Sequence, residues 1–195
     1  MRVFLGITGA SGAPYAARLV ESLTAAGCEL GVCASRAGIE VLATELYGNA
    51  RLSPDETMAR FLERAGEAAT LYDERDWHAP YASGSAKVDA YVICPCSMGT
   101  LGTISSGAMS NLIQRAASVA IKEGRRLVLV PRETPLSTIH LENMLRLRQA
   151  GAVILFAAPG FYAGAESVGD LVDFVVSRCL DQLGVENALV RRWGE

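Results

Sequence analysis

The sequence contains little histidine and no paired cysteine motif, which argues against a metal centre or a disulfide-bonded fold. It has 2 histidines, His78 and His140, and no His/Cys cluster. Its 5 cysteines are an odd number, and Cys94 and Cys96 form a C-x-C pair rather than the paired C-x-x-C motifs of zinc and redox sites. We therefore predict that the protein binds no metal and keeps its thiols reduced, as is typical of a cytoplasmic protein.

The sequence also lacks an excess of positive charge and a membrane-spanning run. The formal net charge of −3 argues against a nucleic-acid-binding surface. Although 50% of the residues are hydrophobic, no apolar run approaches the roughly 20 residues that cross a bilayer. The N-terminus leads directly into a strand pattern, so we expect no secretory signal and no membrane association.

Apolar strand segments alternate with helical segments along the 195 residues. Strands are predicted over 2–8, 30–34, 88–94, 127–130 and 153–156. Helices are predicted over 13–26, 35–46, 55–68, 110–123, 137–150 and 167–183, where apolar residues recur at helical spacing, with a further helix after residue 100. This alternation is typical of βαβ units in a parallel sheet whose strands are buried on both faces. We predict an α/β fold, a single three-layer Rossmann-like (flavodoxin-like) domain over residues 1–195 with a central parallel sheet.

Two of the predicted helices carry start signals. Ser137 and His140 resemble a capping box, and Asp170, three residues after Ser167, favours the start of the last helix. Residues 71–85, by contrast, show neither a helical nor a strand period. They are too polar for a core segment, so we expect them to line a site.

The turns that follow the strands are rich in small and hydroxyl residues. Gly9-Ala10-Ser11-Gly12 follows the first strand, Ser35 the second, and Ser97-Met98-Gly99-Thr100 the central strand. Parallel α/β sheets bind ligands at this edge. A glycine turn that leads into a helix also offers backbone N–H groups to an anion, above all a phosphate. Taken alone, the first turn is as consistent with a tight strand–helix connection as with a phosphate-binding turn, because it lacks the G-x-G-x-x-G dinucleotide pattern.

Four basic residues are candidates for a phosphate site. Arg132 directly follows a strand, where a merely solvated charge is unusual. Arg115 and Lys122 lie two turns apart on one predicted helix, so they share a similar face. Arg178 belongs to the last helix, and Lys122 and Arg178, taken singly, are better explained as solvated surface cations.

Two carboxylates and three aromatic residues complete the candidate set. Glu45 and Glu133 are able to exchange protons if they are partly buried, although Glu45 alone is better explained as a surface acid. Tyr162, Trp77 and Trp193 could form an aromatic wall, although such residues commonly belong to a core or an interface.

Five motifs distributed along the chain closely resemble the UbiX/Pad1 family of flavin prenyltransferases. They are G-I-T-G-A-S-G at 6–12, C-P-C-S at 94–97, N-L-I-Q-R-A-A at 111–117, P-R-E-T-P at 131–135 and P-G-F-Y at 159–162. The resemblance continues to the terminal R-W-G-E at 192–195 and so covers essentially the whole chain. It is least specific over residues 48–86.

The resemblance implies a subunit in which reduced FMN is a substrate rather than a redox catalyst. Dimethylallyl monophosphate is the implied donor, and its prenyl group is joined to N5 and C6 of the flavin. The prenylated FMN is then delivered to a UbiD-type decarboxylase, and the subunits form a homo-dodecamer. Members of the family have also carried the label of aromatic-acid decarboxylases. No Asp-rich diphosphate–magnesium motif is visible, which favours a metal-free reaction.

The resemblance also implies residue roles by position. The implied FMN contacts lie in the turns after the strands: Gly9, Ala10, Ser11, Ser35, Ser97, Met98, Gly99, Thr100 and Arg132. The implied contacts to the prenyl phosphate are four basic residues and a tyrosine: Arg115 from a neighbouring subunit, Lys122, Arg132, Tyr162 and Arg178. The implied catalytic residues are Ser11 and Glu45 for proton transfer near the flavin, Glu133 for the phosphate, and Lys122.

Two other functions stay open. An FMN-dependent decarboxylase of the cysteine-decarboxylase type shares the sheet and the FMN, but it lacks a cationic phosphate pocket, so Arg132, Lys122 and Arg178 together argue against it. A non-catalytic FMN carrier retains the turn at 9–12 and needs neither Lys122 nor Glu133.

Overall fold

The computed structural model describes residues 1–162, 164–192 and 194. Within these residues, six strands form one sheet: β1 (Arg2–Ile7), β2 (Glu29–Ala34), β3 (Ala69–Leu71), β4 (Ala90–Cys96), β5 (Arg126–Pro131) and β6 (Val153–Ile154). The seven α-helices of the same residues are α1 (Ala13–Ala25), α2 (Arg36–Tyr47), α3 (Pro54–Leu62), α4 (Met98–Ser106), α5 (Leu112–Lys122), α6 (Thr138–Gln149) and α7 (Val168–Leu183). Short 3-10 turns occupy Gly66–Ala68 and Pro80–Ala82.

Neighbouring strands pair in parallel in the order β3-β2-β1-β4-β5-β6. The chain builds outward from β1 to β3, returns to the centre at β4, and builds outward in the other direction to β6. This is the strand order of the Rossmann fold, in which ligands bind at the carboxyl edge where the order reverses. The predicted α/β fold is confirmed, and its switch point lies between β1 and β4.

Side chains of the central strands alternate between two apolar layers. Leu5 of β1 is fully buried in a layer that includes residues of α1 and α7. Its neighbour Phe4 is fully buried in the opposite layer, which includes residues of α4 and α5. Both faces of the sheet are therefore covered, which explains why the strands are continuous apolar runs in the sequence. No helix in the described part of the chain is long and apolar enough to cross a bilayer.

Most predicted elements are present, with ends shifted by a few residues. The start signals are confirmed, because Ser137 with His140 and Ser167 with Asp170 form reciprocal capping boxes. The helix predicted over 55–68 is wrong in its second half, where α3 gives way to a 3-10 turn and then to β3. Three residues at the edge of a sheet are too few to show an alternating pattern, so the sequence gives no sign of β3.

The segment 71–85 contributes a core residue, contrary to the expectation that it is too polar for the core. Tyr81 is 1% exposed, and its ring lies 4.9 Å from that of Phe4 and 5.3 Å from that of Tyr72, centroid to centroid. Gly31 in β2 makes the necessary room, because a Cβ at this position would lie 2.1 Å from the Tyr81 ring. A single aromatic residue that fits over a glycine of another strand leaves no periodic signal.

Candidate active site at the switch point

Two turns face each other where β1 and β4 end, and the side chain of Thr8 joins them. Thr8 is 1% exposed. Its hydroxyl donates to the Pro95 carbonyl at 3.0 Å and accepts from the Ser97 N–H at 2.7 Å. The Thr8 N–H donates to the same Pro95 carbonyl at 3.1 Å. Sequence reasoning missed Thr8, because its partners lie far along the chain.

Glycines shape the turn after β1 for two different reasons. A Cβ on Gly9 would lie 2.6 Å from the Cβ of Ala37, so Gly9 allows the start of α2 to pack directly on the turn. Gly12 adopts a φ of 137°, which side chains other than glycine rarely tolerate. The turn is therefore built for close packing as well as for access to its backbone.

A carboxylate from α2 occupies the N-terminus of α1. Glu45 accepts hydrogen bonds from the N–H groups of Gly12 and Ala13 at 2.9 and 2.8 Å through one oxygen. An acid at this place balances the positive end of the helix dipole and satisfies backbone donors that Gly12 cannot cap with a side chain. These two amides are therefore engaged by Glu45, and the expectation that they are open to an external phosphate is wrong in this respect. Glu45 is not only a surface acid, because its carboxylate also caps α1.

Hydroxyl caps begin the two neighbouring helices. The Ser35 hydroxyl accepts from the Gly38 N–H at 3.1 Å at the start of α2. At the start of α4, the Ser97 hydroxyl accepts from the Thr100 N–H at 3.3 Å and donates to the Thr100 hydroxyl at 3.1 Å. A Cβ on Gly99 would meet no atom within 4 Å, so this first turn faces open space. The caps engage the Gly38 and Thr100 amides, whereas the amides of Met98 and Gly99 have no acceptor within α4, because they belong to its first turn. The groups at these helix starts are neutral amides and hydroxyls.

Arg132 brings a positive charge to the rim of the crevice. It follows β5 directly, and its Nε donates to the Ser11 carbonyl at 3.3 Å. Glu133, half-buried, accepts from the N–H of Thr134 at 3.0 Å. The structure therefore brings Arg132 together with the turn after β1.

Within its own chain, Lys122 lies at the end of the sheet where the strands begin, opposite the crevice. It ends α5, pairs with Glu123 and lies against Gly84. Arg125 donates to the Gly84 carbonyl at 2.6 Å and to the Tyr91 hydroxyl at 3.1 Å, near the point where β4 begins. Because the crevice lies where the strands end, one chain does not bring Lys122 to Ser11 or Ser97.

Arg115 also points to its own chain's loops rather than into the crevice. Its Nε donates to the Ala82 carbonyl at 2.9 Å, in the 3-10 turn that packs on α5. Arg115 and Lys122 therefore stand apart from the turn residues that surround the switch point.

Tyr162 and Arg178 are connected through Phe174 of α7, which contacts the Tyr162 ring and lies one turn before Arg178. The Tyr162 ring packs edge-to-face on Phe174 of α7 at a centroid distance of 5.7 Å and is 70% exposed as a residue. Phe174 and Arg178, one turn apart, line a cleft of about 280 Å³ along β6, and Arg178 pairs with Asp181 at 2.8 Å. Of the other predicted aromatic residues, Trp77 is half-exposed and Trp193 lies outside the described residues.

A larger cleft of about 600 Å³ lies between α2 and α3, beyond the ends of β2 and β3. Its lining combines apolar residues such as Ile39 and Met58 with acids such as Asp73. Residues 71–74 of the segment expected to line a site do line this cleft, together with Ala34 and Arg36 on either side of Ser35. None of the contacts that the resemblance implies for FMN or the prenyl phosphate is among its lining residues.

The cysteines of the C-x-C pair are unsuited to nucleophilic chemistry. Burial raises the pKa of Cys96 to about 12 and raises that of Cys94 well above its usual value. Both thiols therefore stay protonated near neutral pH and are poor nucleophiles. In the described part of the chain, no group of three or more His, Cys, Asp or Glu side chains is arranged to hold a metal ion.

We expect the Glu45 carboxylate to stabilise the turn after β1. Glu45→Ala should lower the free energy of unfolding by about 0.5–2 kcal/mol, because it removes the acceptor for two helix N-terminal amides. Urea unfolding of Glu45→Ala and of Glu40→Ala, which removes an exposed acid from the same helix, measures the difference. Equal losses in the two variants would contradict a capping role.

The chain matches the Flavoprotein family over residues 1–180. It is 51% identical to the flavin prenyltransferase UbiX of Pseudomonas aeruginosa, across 100% of this chain and 94% of that protein. The structure of AnUbiX in complex with FMN and dimethylallyl pyrophosphate aligns with a TM-score of 0.87 at 38% identity, covering 100% of this chain and 97% of that one. A dodecameric FMN-dependent UbiX-like decarboxylase from Escherichia coli O157:H7 aligns with a TM-score of 0.87 at 39% identity, covering 100% of both chains.

More distant structures share the fold alone. The FMN-dependent cysteine decarboxylase TvaF aligns with a TM-score of 0.61 at 16% identity, over 94% of this chain and 98% of that one. The resemblance carried by the five motifs is thus confirmed at full length, and the chain belongs to the UbiX flavin prenyltransferases within the Flavoprotein family.

Proposed function

We propose that this chain transfers a dimethylallyl group from dimethylallyl monophosphate to N5 and C6 of reduced FMN, without a metal ion. The observation that carries the proposal is the switch-point crevice, where the turn after β1 faces the hydroxyl-capped start of α4 and the Arg132 guanidinium is held at the rim. Full-length similarity to UbiX flavin prenyltransferases, and to AnUbiX solved with FMN and dimethylallyl pyrophosphate, supports this reaction class.

FMN is the acceptor substrate in this proposal, and the turns after the strands hold it. The neutral N–H and hydroxyl groups of these turns suit the carbonyl, hydroxyl and phosphate oxygens of FMN. The proposed contacts combine three turns and one cation: Gly9, Ala10, Ser11, Ser35, Ser97, Met98, Gly99, Thr100 and Arg132. Reduced FMN supplies the nucleophilic positions that accept the prenyl group.

Loss of phosphate from the prenyl donor places opposite charges on the two fragments. Negative charge grows on the departing phosphate, and a fixed guanidinium such as Arg132 stabilises it without reorganisation. The electron-poor allylic fragment is stabilised by an aromatic face, for which Tyr162 is the proposed residue. Glu133, next to Arg132 in the chain, is proposed to exchange the proton that the phosphate requires.

We propose that a neighbouring subunit completes the phosphate site. Arg115 is held by the Ala82 carbonyl and Lys122 pairs with Glu123 where the strands begin, so both are proposed to act in the crevice of a neighbouring subunit. The dodecameric state of the E. coli relative supports such an assembly. Exposed apolar residues on α6, with Ile139 at 67% and Leu145 at 58%, offer surface for contact between copies in a proposed homo-dodecamer.

We further propose that the product passes to a UbiD-type decarboxylase in the cytoplasm. All five cysteines are unpaired and buried, which is compatible with a reducing compartment.

Anaerobic incubation with reduced FMN and dimethylallyl monophosphate should add one prenyl group to the flavin, as measured by mass spectrometry. The diphosphate, tested in parallel, should react more slowly, because the proposed site holds no metal ion to neutralise the additional phosphate. A decarboxylase or an FMN carrier leaves the flavin mass unchanged. An unchanged mass with both substrates bound would refute the proposal.

We expect Glu133→Gln to slow single-turnover prenyl transfer by about 10²–10⁴-fold, the range for loss of a positioned acid or base. The dissociation constant for FMN should stay at its parent value, because Glu133 is not among the proposed FMN contacts. Glu67→Gln, which neutralises an exposed acid in a 3-10 turn, is the matched control. A parental rate in Glu133→Gln removes this residue from the mechanism.

Mixed assemblies test whether Lys122 acts in a neighbour's site. Lys122→Ala and Arg132→Ala should each be nearly inactive as homo-oligomers. When the two are co-expressed, sites that combine an intact Arg132 from one chain with an intact Lys122 from another should recover activity. If purified mixed oligomers are as inactive as either parent, Lys122 does not act across a subunit boundary.

A further inference from the structure

We propose that Thr8 is a positioning residue that sets the separation between the two walls of the FMN crevice. The two walls are the turn after β1, residues 9–12, and the first turn of α4, residues 97–100. The inference rests on the proposed binding of FMN between these turns. Thr8 itself is buried and makes no proposed contact with FMN.

The paired part of β1 and β4 ends before the walls begin. Their last paired residues are Gly6 and Ile93, and β4 then shifts its register against β5 between Ile93 and Cys96. Beyond this point Thr8 connects the strand ends, with its N–H and its hydroxyl both donating to the Pro95 carbonyl at 3.1 and 3.0 Å.

The Thr8 hydroxyl both donates and accepts a hydrogen bond. It donates to Pro95 and accepts from the Ser97 N–H at 2.7 Å, so its single proton is committed and its orientation is fixed. Ser97 is the N-cap of α4, which means that Thr8 holds the residue from which that wall starts. The Thr8 carbonyl accepts from the Ala10 N–H at 2.9 Å, so the same residue also shapes the other wall.

Valine isolates the contribution of the hydroxyl, because it keeps the β-branched shape of threonine and its restricted χ1. In Thr8→Val the backbone bond from the Thr8 position to Pro95 remains, and the strand ends stay connected. The Ser97 N–H loses its partner, so the start of α4 is free to shift relative to the turn after β1. We therefore expect a folded protein with a loosened crevice.

The experiment compares Thr8→Val, Thr8→Ser and Thr57→Val. Thr57 of α3 is also fully buried, but its hydroxyl donates at 2.8 Å to the carbonyl of Ser53, the N-cap of the same helix, and not to a wall of the crevice. Titration of FMN fluorescence should show a Kd raised by roughly tenfold or more in Thr8→Val, since small displacements of binding groups are costly. Thr8→Ser should restore Kd to within about threefold of the parent, and Thr57→Val should leave it unchanged.

A purely structural role for Thr8 predicts a different pattern. Thr8→Val and Thr57→Val would then lose comparable thermal stability, and both would bind FMN like the parent protein. That result would overturn the proposal. FMN is titrated without a prenyl donor, so a failure of prenyl transfer leaves this test intact, and a parental Kd in Thr8→Val says nothing against prenyl transfer.

Amide exchange provides a second measurement that needs no variant. In the FMN-free protein, the Ser97 N–H should already be protected from hydrogen exchange, because Thr8 accepts its hydrogen bond. Exchange at the rate of an exposed amide, with protection appearing only after FMN is added, would mean that FMN and not Thr8 organises this wall. This measurement decides the question if Thr8→Val does not fold.

Discussion

The reversal of strand order between β1 and β4 is the constraint on which the remainder of the site depends. Two buried parallel strands that part at their carboxyl ends open a crevice, and they also leave backbone groups that no ladder can pair. Side chains satisfy these groups in two places. Thr8 bonds Pro95 and Ser97 across the gap, and Glu45 accepts from the first amides of α1. The groups that secure the fold at this edge therefore also determine which donors remain for a ligand.

This division of donors gives the crevice its electrostatic character. The carboxylate of Glu45 offsets the positive end of the α1 dipole, so that helix adds little attraction for an anion. Hydroxyl caps begin α2 and α4, and these contribute dipoles without a net charge. Fixed positive charge at the rim comes from Arg132. The proposed function, which holds FMN and also expels a second phosphate, therefore adds two cations, Lys122 and Arg115, from a neighbouring chain.

Local sequence signals predict a large part of this arrangement. Apolar runs mark the central strands, the capping boxes at Ser137 and Ser167 mark two helix starts, and the small residues after the strands mark the crevice. Contacts between distant segments are not predictable in this way. Tyr81 is buried because Gly31, on another strand, leaves room for its ring. Glu45 reaches Gly12, and Thr8 reaches Ser97, across many intervening residues, and no spacing rule connects such partners.

The family resemblance implies that Lys122 contacts the phosphate, but the fold of a single chain puts Lys122 elsewhere. Similarity in sequence links Lys122 to the phosphate, whereas topology puts the end of α5 at the edge where the strands begin, beside Tyr91 and Arg125. Two helices, α4 and α5, connect β4 to β5, and α5 ends only a few residues before β5 begins, so its C-terminus lies where the strands start. Lys122 therefore lies away from the crevice of its own chain, beside Glu123 and Gly84. The proposed assembly of chains is consistent with both the resemblance and the topology, and in it the proposed phosphate site lies at the contact between subunits.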